Sequence, residues 1–343
     1  MIIFSIETSC DDTSIAIIKT KGKKYPSFEI LANIISSQVN DHNKFGGIVP
    51  NLAARLHLEN INYCIDSALK QAKIKPKQID LITVTYGPGL IPALLMGTTV
   101  AKTLSYLWNK PIIGVNHIEG HIYSNFINIK EKNLFPILNL VVSGGHTSLI
   151  LMKNHLKYQI IGETRDDAIG ESFDKVARLL DLGYPGGPII EKLAINYKGK
   201  LIDLPRPMKY SKDFDFSFSG LKTAVLYTVK KTKKINSNFK KQLSASFQKA
   251  AFDVVIYKTL KAAKKYNIKT LTLGGGVSAN KALVFDFEQA IKKEDLNLQF
   301  LSPNIGLSTD NAVMIAIAGF FRFSQKGANS WQKIEAKSNL KIT

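Results

Sequence analysis

The sequence predicts an α/β fold made of two similar halves, as expected of a duplicated nucleotide-binding protein. Short β-branched strands alternate along the chain with amphipathic helices, which is the pattern of α/β domains. Two strands joined by a small polar turn open each half, at residues 2–18 and again at 136–152. The length of 343 residues allows two domains of roughly 150 residues each. Two halves that begin alike indicate a duplication.

Composition narrows the class of protein. Hydrophobic residues make up 45% and charged residues 21%, as in ordinary globular chains. The apolar runs are strand-sized, and the N-terminus lacks the basic flank and cleavage site of a signal peptide. Cys10 and Cys64 are too few for a disulfide framework. We therefore expect a cytoplasmic protein without membrane contact.

The chain is strongly basic. Its 46 Lys and Arg residues against 27 Asp and Glu residues give a net charge of +19, which favours polyanionic partners such as nucleic acids. A composition rich in Lys, Ile and Asn could produce the same surplus. The best candidate for a phosphate-contacting surface is a lysine run, although such runs are often solvated helix faces. It comprises Lys222, Lys230, Lys231, Lys233, Lys234, Lys240 and Lys241.

The first half contains a polar hairpin tip followed by helices and strands. The tip carries Glu7, Asp11 and Asp12; it can hold a phosphate or a hydrated cation, or be a plain polar turn. A helix is predicted from about Asn51, which would cap it, to Ala72. A strand at 79–86 ends in a Gly-Pro-Gly turn before a helix at 92–107.

Two histidines four residues apart are the main candidates for metal ligands. His117 and His121 follow the apolar run 111–115, so they would open a helix directly after a buried strand. Their rings would then lie on one helix face and could converge on one ion. Ordinary surface or half-buried histidines also show this spacing. Asp310 is a possible third ligand, or simply the N-cap of a helix at 311–323.

The second half repeats the glycine-rich turns. Residues 143–147 join two strands, and Gly187 with Pro188 opens a helix whose N–H groups face outward to a ligand. Three glycines at 274–276 precede Asn280, whose amide offers both a donor and an acceptor. Asp174 lies on a helix where its carboxylate could accept from a ribose hydroxyl or take part in an internal ion pair.

These motifs together resemble the TsaD family of tRNA threonylcarbamoyladenosine transferases, formerly called glycoproteases. The similarity runs in order from residue 2 to about 320. The matching segments are Ile6–Asp12, Gly87–Leu90, His117–His121, Val142–His146, Phe173–Lys175, Tyr184–Pro188, Phe216–Thr223, Gly274–Asn280 and Thr309–Asn311.

The resemblance implies the actin, Hsp70 and sugar-kinase fold, with a nucleotide cleft between two domains. The first domain would comprise residues 1–130 with 305–330 and carry the metal ligands. The second would comprise residues 131–304 and carry most nucleotide contacts. The helix that starts at Asp310 would return to the first domain.

The resemblance also implies roles for individual residues. His117, His121 and Asp310 would bind one metal ion per chain, with Fe²⁺ expected and zinc as the alternative. Glu7 and Asp11 are the candidates for the base that takes the proton from the amine. The nucleotide part of the substrate would contact Val141, Val142, Ser143, Gly144, Gly145, Asp174, Gly187 and Asn280, with Glu191 as an additional ribose contact.

The implied reaction moves the threonylcarbamoyl group of threonylcarbamoyl-AMP to N6 of adenosine 37 in tRNAs that read codons starting with A, releasing AMP. Position 37 is already single-stranded, so little unstacking is needed. The expected partners are tRNA, a TsaB-like paralogue and a TsaE-like ATPase, although organellar relatives act without such helpers.

Departures from the family pattern concern packing more than catalysis. Asn51 replaces a frequent glutamate, Ser308 a common cysteine, and Val284 a frequent arginine. Three rival functions remain open: a metalloprotease, a small-molecule kinase or ATPase of the same fold, and a scaffold that only binds tRNA or other proteins. The protease is disfavoured because zincins need His-Glu-x-x-His, whereas Glu119 lies two residues after His117.

Overall fold

A computed structural model describes residues 1–22, 26–129, 133–304 and 306–342. The chain divides into two compact units. The first unit comprises Met1–Lys132 together with Asn304–Thr343, and the second comprises Asn133–Pro303. In the described residues each unit contains one five-stranded mixed sheet with helices packed on it.

The sheet of the first unit has the strand order β3-β2-β1-β4-β5. Strand β1 is antiparallel to β2 and parallel to β4, and β4 is parallel to β5. The strands are β1 (Ile2–Glu7), β2 (Asp12–Lys21), β3 (Ser27–Ser37), β4 (Leu81–Gly87) and β5 (Ile112–Asn116). The helices are α1 (Val39–Asn43), α2 (Pro50–Ala72), α3 (Ile91–Trp108), α4 (His117–Tyr123) and α10 (Ala312–Lys326).

The sheet of the second unit has the corresponding order, β10-β9-β6-β7-β8. A hairpin of β6 and β7 again lies beside parallel strands, so the predicted duplication is confirmed. The strands are β6 (Ile137–Val142), β7 (Thr147–Asn154), β8 (Lys157–Glu163), β9 (Thr270–Gly274) and β10 (Gln299–Leu301). The helices are α5 (Ile169–Leu179), α6 (Gly186–Ile195), α7 (Ser219–Lys231), α8 (Ser237–Lys265) and α9 (Lys281–Lys293).

Apolar strands bring polar residues to the ends of the sheets. Strand β1 is buried from Ile3 to Glu7, and α2, α3 and α10 pack on its sheet, so both the apolar run and the carboxylate that ends it lie inside the protein. Strand β6 is buried along its whole length and ends at the turn that starts with Ser143. The sequence therefore places its polar turns where buried strands end, which is where α/β sheets bind ligands.

One predicted cap is wrong. Helix α2 begins at Pro50 after Val49, and Asn51 lies inside it, so Asn51 is not the N-cap. Proline is favoured at the first helical position because its φ angle is preset and it has no N–H to leave unpaired. Among the described helices, none combines the length and the apolar character needed to cross a bilayer.

The turn between β7 and β8 carries a pH-sensitive group, His155, whose ring centroid lies 5.0 Å from that of Phe135. Burial lowers the pKa of His155 from 6.5 to about 4. The contribution of His155 to stability is therefore full above the unfolded pKa of 6.5 and is lost as the pH falls toward 4.

Between about pH 7.5 and about pH 5, we expect the His155→Gln variant to lose less free energy of unfolding than the wild type, measured by urea unfolding. Equal losses would show that the ring is protonated in the folded state.

Candidate metal centre and nucleotide-binding turns

Helix α4 begins where β5 ends and carries both histidines. The side chain of Asn116 caps the helix by accepting hydrogen bonds from the N–H groups of Ile118 at 2.8 Å and Glu119 at 3.4 Å. All seven residues of α4 are buried. The ring centroids of His117 and His121 lie 4.6 Å apart. The two histidines therefore share an internal helix face, which excludes the interpretation that they are surface residues.

Asp310 lies close to the two histidines although it is far from them in the sequence. Its Oδ1 lies 3.5 Å from Nε2 of His117 and 3.3 Å from Nε2 of His121, and the three ligand atoms are all within 4.8 Å of one another. Asn311 is the N-cap of α10, because its side chain accepts from the N–H of Met314. Asp310 is therefore not the N-cap, and its carboxylate is directed to the histidines.

Glu7 contacts Nδ1 of His117, the ring nitrogen that does not face Asp310. Its Oε2 lies 3.1 Å from Nδ1 of His117 and accepts a 2.5 Å hydrogen bond from the hydroxyl of Thr85. Burial raises the pKa of Glu7, but the charge and hydrogen bond of His117 outweigh it, so the pKa is lowered. A carboxylate acceptor at Nδ1 places the proton there and turns Nε2 toward Asp310.

The two carboxylates that flank His117 change the pKa of its imidazole. Burial alone would lower the pKa of His117, but the negative charges of Asp310 and Glu7 raise it to about 9. The two carboxylates therefore stabilise a positive charge at this position. A divalent cation provides a positive charge in the same place.

The geometry of the three residues fits a metal ion. His121 is fully buried; within the described residues its Nδ1 makes no hydrogen bond, and the polar neighbour of its Nε2 is Oδ1 of Asp310 at 3.3 Å. A buried ring nitrogen without a hydrogen bond is rare, and it indicates that the histidine has a function such as binding an ion. Ligands about 2.1 Å from one ion lie roughly 3.0–3.4 Å apart at octahedral or tetrahedral angles, close to the two nitrogen–oxygen distances seen here. Two imidazoles and one carboxylate leave coordination positions open for a substrate.

The glutamate between the two histidines has a structural contact. Glu119 is fully buried and accepts a hydrogen bond from Nε of Arg322 on α10. Beside it, a Cβ added at Gly120 would lie 2.7 Å from Ile315, so α4 and α10 are in close contact. A fully buried glutamate that is paired to an arginine cannot serve as the general base of a protease.

We expect Glu119→Gln to weaken metal binding by up to about tenfold, the lower end of the range for groups that hydrogen-bond a metal ligand directly. The change removes the charged carboxylate to which Nε of Arg322 donates, so α4 and α10 should shift. The affinity for Zn²⁺ or anaerobic Fe²⁺ is measured by titration calorimetry. Asp253→Asn is the matched control, because it breaks the Arg206–Asp253 pair of the second unit. Both variants should melt earlier, but only the first should bind metal more weakly.

The two candidate bases lie in different environments. Glu7 is fully buried and hydrogen-bonded, whereas Asp11 at the tip of the β1–β2 hairpin is half-buried. Burial raises the pKa of Asp11, and the charge of Asp310 raises it further. Burial likewise raises the pKa of the adjacent Asp12, to about 7. Of the two, Asp11 has the solvent access that a proton acceptor needs.

The second unit brings its predicted nucleotide residues to the ends of β6 and β9. Val141 and Val142 end β6, and the carbonyl of Ser143 accepts from the N–H of Gly170 at 3.1 Å. A Cβ added at Gly144 or Gly145 would meet no atom within 4 Å. This turn therefore presents bare backbone to open space.

The remaining predicted contacts lie around α6 and α9. Asp174 accepts from the N–H of Gly186 at 2.8 Å, at the start of α6, and a Cβ at Gly187 would also meet no atom within 4 Å. Glu191 accepts from the N–H of Lys281 at 2.8 Å. Asn280 caps α9 and donates to Gln248. Asp174, Glu191 and Asn280 thus fix the helix ends beside the open glycines.

Comparisons with known proteins agree with this architecture. HypF of T. kodakarensis matches with a TM-score of 0.62 at 13% identity, covering 94% of this chain and 47% of that one. The activator of the 2-hydroxyisocaproyl-CoA dehydratase from Clostridium difficile, with bound ADPNP, matches with a TM-score of 0.52 at 12% identity, covering 96% and 99%. At these identities the likeness concerns the fold alone, and the predicted actin, Hsp70 and sugar-kinase fold is confirmed.

Relatives in sequence are much closer. The family model described as "TsaD: tRNA N6-adenosine threonylcarbamoyltransferase" matches residues 29–317. The protein of that name from Thermosipho africanus is 50% identical over 342 residues, covering 100% of both chains. The one from Staphylococcus epidermidis is 45% identical over 343 residues, covering 99% of this chain and 97% of that one. The chain therefore belongs to the TsaD family of tRNA N6-adenosine threonylcarbamoyltransferases.

Proposed function

We propose that this chain transfers the threonylcarbamoyl group of threonylcarbamoyl-AMP to N6 of adenosine 37 in tRNAs that read codons starting with A. The observation that carries the proposal is the convergence of the buried His117 and His121 with the half-buried Asp310 in a chain of this family. The N6 amine forms a bond to the carbamoyl carbon, the bond from that carbon to the phosphate oxygen breaks, and AMP leaves with the electron pair. The amine also releases one proton.

The proposal includes one divalent metal ion per chain, held by Nε2 of each histidine and by the carboxylate of Asp310. Two histidines and one carboxylate are typical ligands of Fe²⁺, and zinc accepts the same donors. When bound, the ion would supply Lewis-acid polarisation of an acyl or phosphate oxygen. Asp310 is the only anionic member of the ligand set, so its single negative charge would compensate half of the formal charge of the ion.

The protein's own residues orient the reacting groups. Glu7 fixes His117 through Nδ1, and the Glu119–Arg322 pair fixes the helix that carries both histidines. In the second unit, the turn at Ser143 to Gly145 and the start of α6 at Gly187 would bind the AMP portion through backbone N–H groups. Asp174 and Glu191 would reach the ribose, and Asn280 would hold the start of α9 beside it. Asp11 is the proposed acceptor of the amine proton.

Partners and location follow from the same reaction. We propose tRNA as the acceptor substrate and a TsaB-like paralogue and a TsaE-like ATPase as helper proteins. The reaction would take place in the cytoplasm, where unmodified tRNA is available.

The proposal is tested by mixing the purified chain with threonylcarbamoyl-AMP and unmodified tRNA, then digesting the tRNA for nucleoside mass spectrometry. We expect threonylcarbamoyladenosine to form with the metal-loaded chain and to be absent when ATP replaces threonylcarbamoyl-AMP. Adding the helper proteins tests whether the chain acts alone. Absence of the product in both settings would contradict the proposal, whereas ATP hydrolysis without transfer would favour the kinase or ATPase alternative.

A further inference from the structure

The second unit contains a long stretch without any negative charge. Between Asp215 and Asp253 the sequence has no Asp or Glu but eight lysines. In a chain with 27 acidic residues and a net charge of +19, this stretch alone supplies eight positive charges. It was the lysine-rich segment predicted to contact phosphate, and neither the metal centre nor the glycine turns include it.

Three of the eight lysines form ion pairs or hydrogen bonds within the second unit. Lys222 pairs with Asp167 at 2.7 Å, Lys249 pairs with Asp253 and Asp286, and Lys240 donates to the carbonyl of Asp181. These three therefore stabilise the unit, and Lys222 and Lys240 of the predicted phosphate-contacting run have partners within it.

The other five lysines form no ion pair within the described residues. They lie at the junction of the last turn of α7, the connection 232–236 and the first turns of α8, and four of them are exposed while Lys241 is half-buried. We call them the α7–α8 lysine cluster: Lys230, Lys231, Lys233, Lys234 and Lys241.

Neighbouring groups extend the positive surface and add an aromatic ring. Gln242 donates to the carbonyl of Lys200 at 2.8 Å, which places the exposed Lys198 and Lys200 beside the start of α8. Tyr227 is 57% exposed and precedes Lys230 and Lys231 by three and four residues, so it shares their helix face. A tyrosine among lysines offers a stacking surface next to phosphate contacts.

Five neighbouring cations without counter-charges repel one another, and the carboxyl end of α7 offsets this only for the lysines of its last turn. A polyanion removes the repulsion and releases its own counterions on binding. The only exposed large aliphatic residue recorded in this segment is Ile235, which is too little to anchor the cluster in a bilayer. The surface therefore fits a nucleic acid better than a membrane.

We infer that the α7–α8 lysine cluster binds the phosphate backbone of the tRNA substrate. The inference rests on the proposed function for the identity of the nucleic acid, and it assigns the contact to a surface outside both the metal centre and the glycine turns. The contact is with backbone phosphates, so it contributes affinity for tRNA in general and does not select a base.

The test compares two charge-matched variants in binding to an unmodified tRNA transcript at several salt concentrations. The first variant is K230Q/K231Q/K233Q/K234Q. The control is K70Q/K73Q/K75Q/K77Q, which removes four exposed lysines of the first unit and lowers the net charge equally. We expect the first variant to bind at least about tenfold more weakly at roughly 0.1 M salt, and its log Kd–log salt slope to fall by about 2–4. The control should retain the wild-type slope.

Further measurements distinguish the possible causes of a loss of tRNA binding. The variant with arginine at the same four positions should bind tRNA like the wild type, and the glutamine variant should keep the wild-type melting temperature and metal affinity. Equal loss in both glutamine variants would overturn the inference, because it would reflect net charge alone. Loss of binding to anionic phospholipid vesicles with unchanged tRNA binding would overturn it in favour of a membrane. A wild-type chain that binds no tRNA would instead contradict the proposed function.

Discussion

Asp310→Ala is expected to abolish transfer, with a rate at least about 10³-fold below that of the wild type. The substitution removes the only anionic ligand and leaves the two imidazoles as the remaining members of the set. Outer contacts of a metal site are worth about 10–100-fold, so a direct ligand should exceed that range. Metal affinity, measured by titration, should fall together with the rate of threonylcarbamoyladenosine formation, measured by mass spectrometry. Binding of tRNA should be unchanged, because the α7–α8 lysine cluster is intact.

Asp66→Ala is the matched control, since it removes an exposed aspartate on α2 of the same unit. It should leave rate and metal affinity at wild-type values. An Asp310→Ala protein that still transfers within tenfold of the wild type would rule out a metal role for the three residues. The scaffold alternative makes a different prediction, because there neither substitution would change any function.

Much of the metal centre could be predicted from the sequence because its signals are local. Two histidines one helical turn apart after an apolar strand need only the helix period to converge. Asp310 is different, because nothing local distinguishes a ligand from an N-cap. The choice between them depends on Asn311 capping α10 and on the hydroxyl of Ser14 accepting from the N–H of Ala312 at 2.9 Å, a contact across 298 positions.

The contacts that hold the ligands in place could not be predicted in this way. The sequence indicated Glu7 as a base or as part of a polar hairpin tip, although in the structure it contacts His117. Arg322 gave no local signal of its pairing with Glu119. Strands β3 and β8 were also missed. Both are edge strands with mixed burial, so their polar and apolar residues do not give the clear alternation of a half-buried strand. Long-range pairs and sheet edges depend on the assembled fold.

Gly187→Phe is expected to weaken binding of AMP by roughly 5- to 150-fold while leaving the unit folded. A Cβ at Gly187 meets no atom within 4 Å, so a side chain there enters the space where we propose that the nucleotide lies. Overfilling a packed site costs about 1–3 kcal/mol, and each 1.4 kcal/mol is roughly tenfold in affinity. AMP affinity is measured by calorimetry, and the melting temperature is recorded beside it. The metal affinity of the first unit should not change.

Adding a single methyl group at two glycines separates the loss of a ligand contact from the loss of packing. Gly187→Ala should melt at the wild-type temperature or slightly above, because alanine is the better helix former. Gly275→Ala should melt markedly earlier, since Gly275 has a φ of +86° and its Cβ would lie 2.4 Å from the carbonyl oxygen of Val142, a strained and overlapping position. If Gly187→Phe binds AMP as tightly as the wild type, this end of α6 does not contact the nucleotide. If it melts as early as Gly275→Ala, its effect on binding reflects packing rather than ligand exclusion.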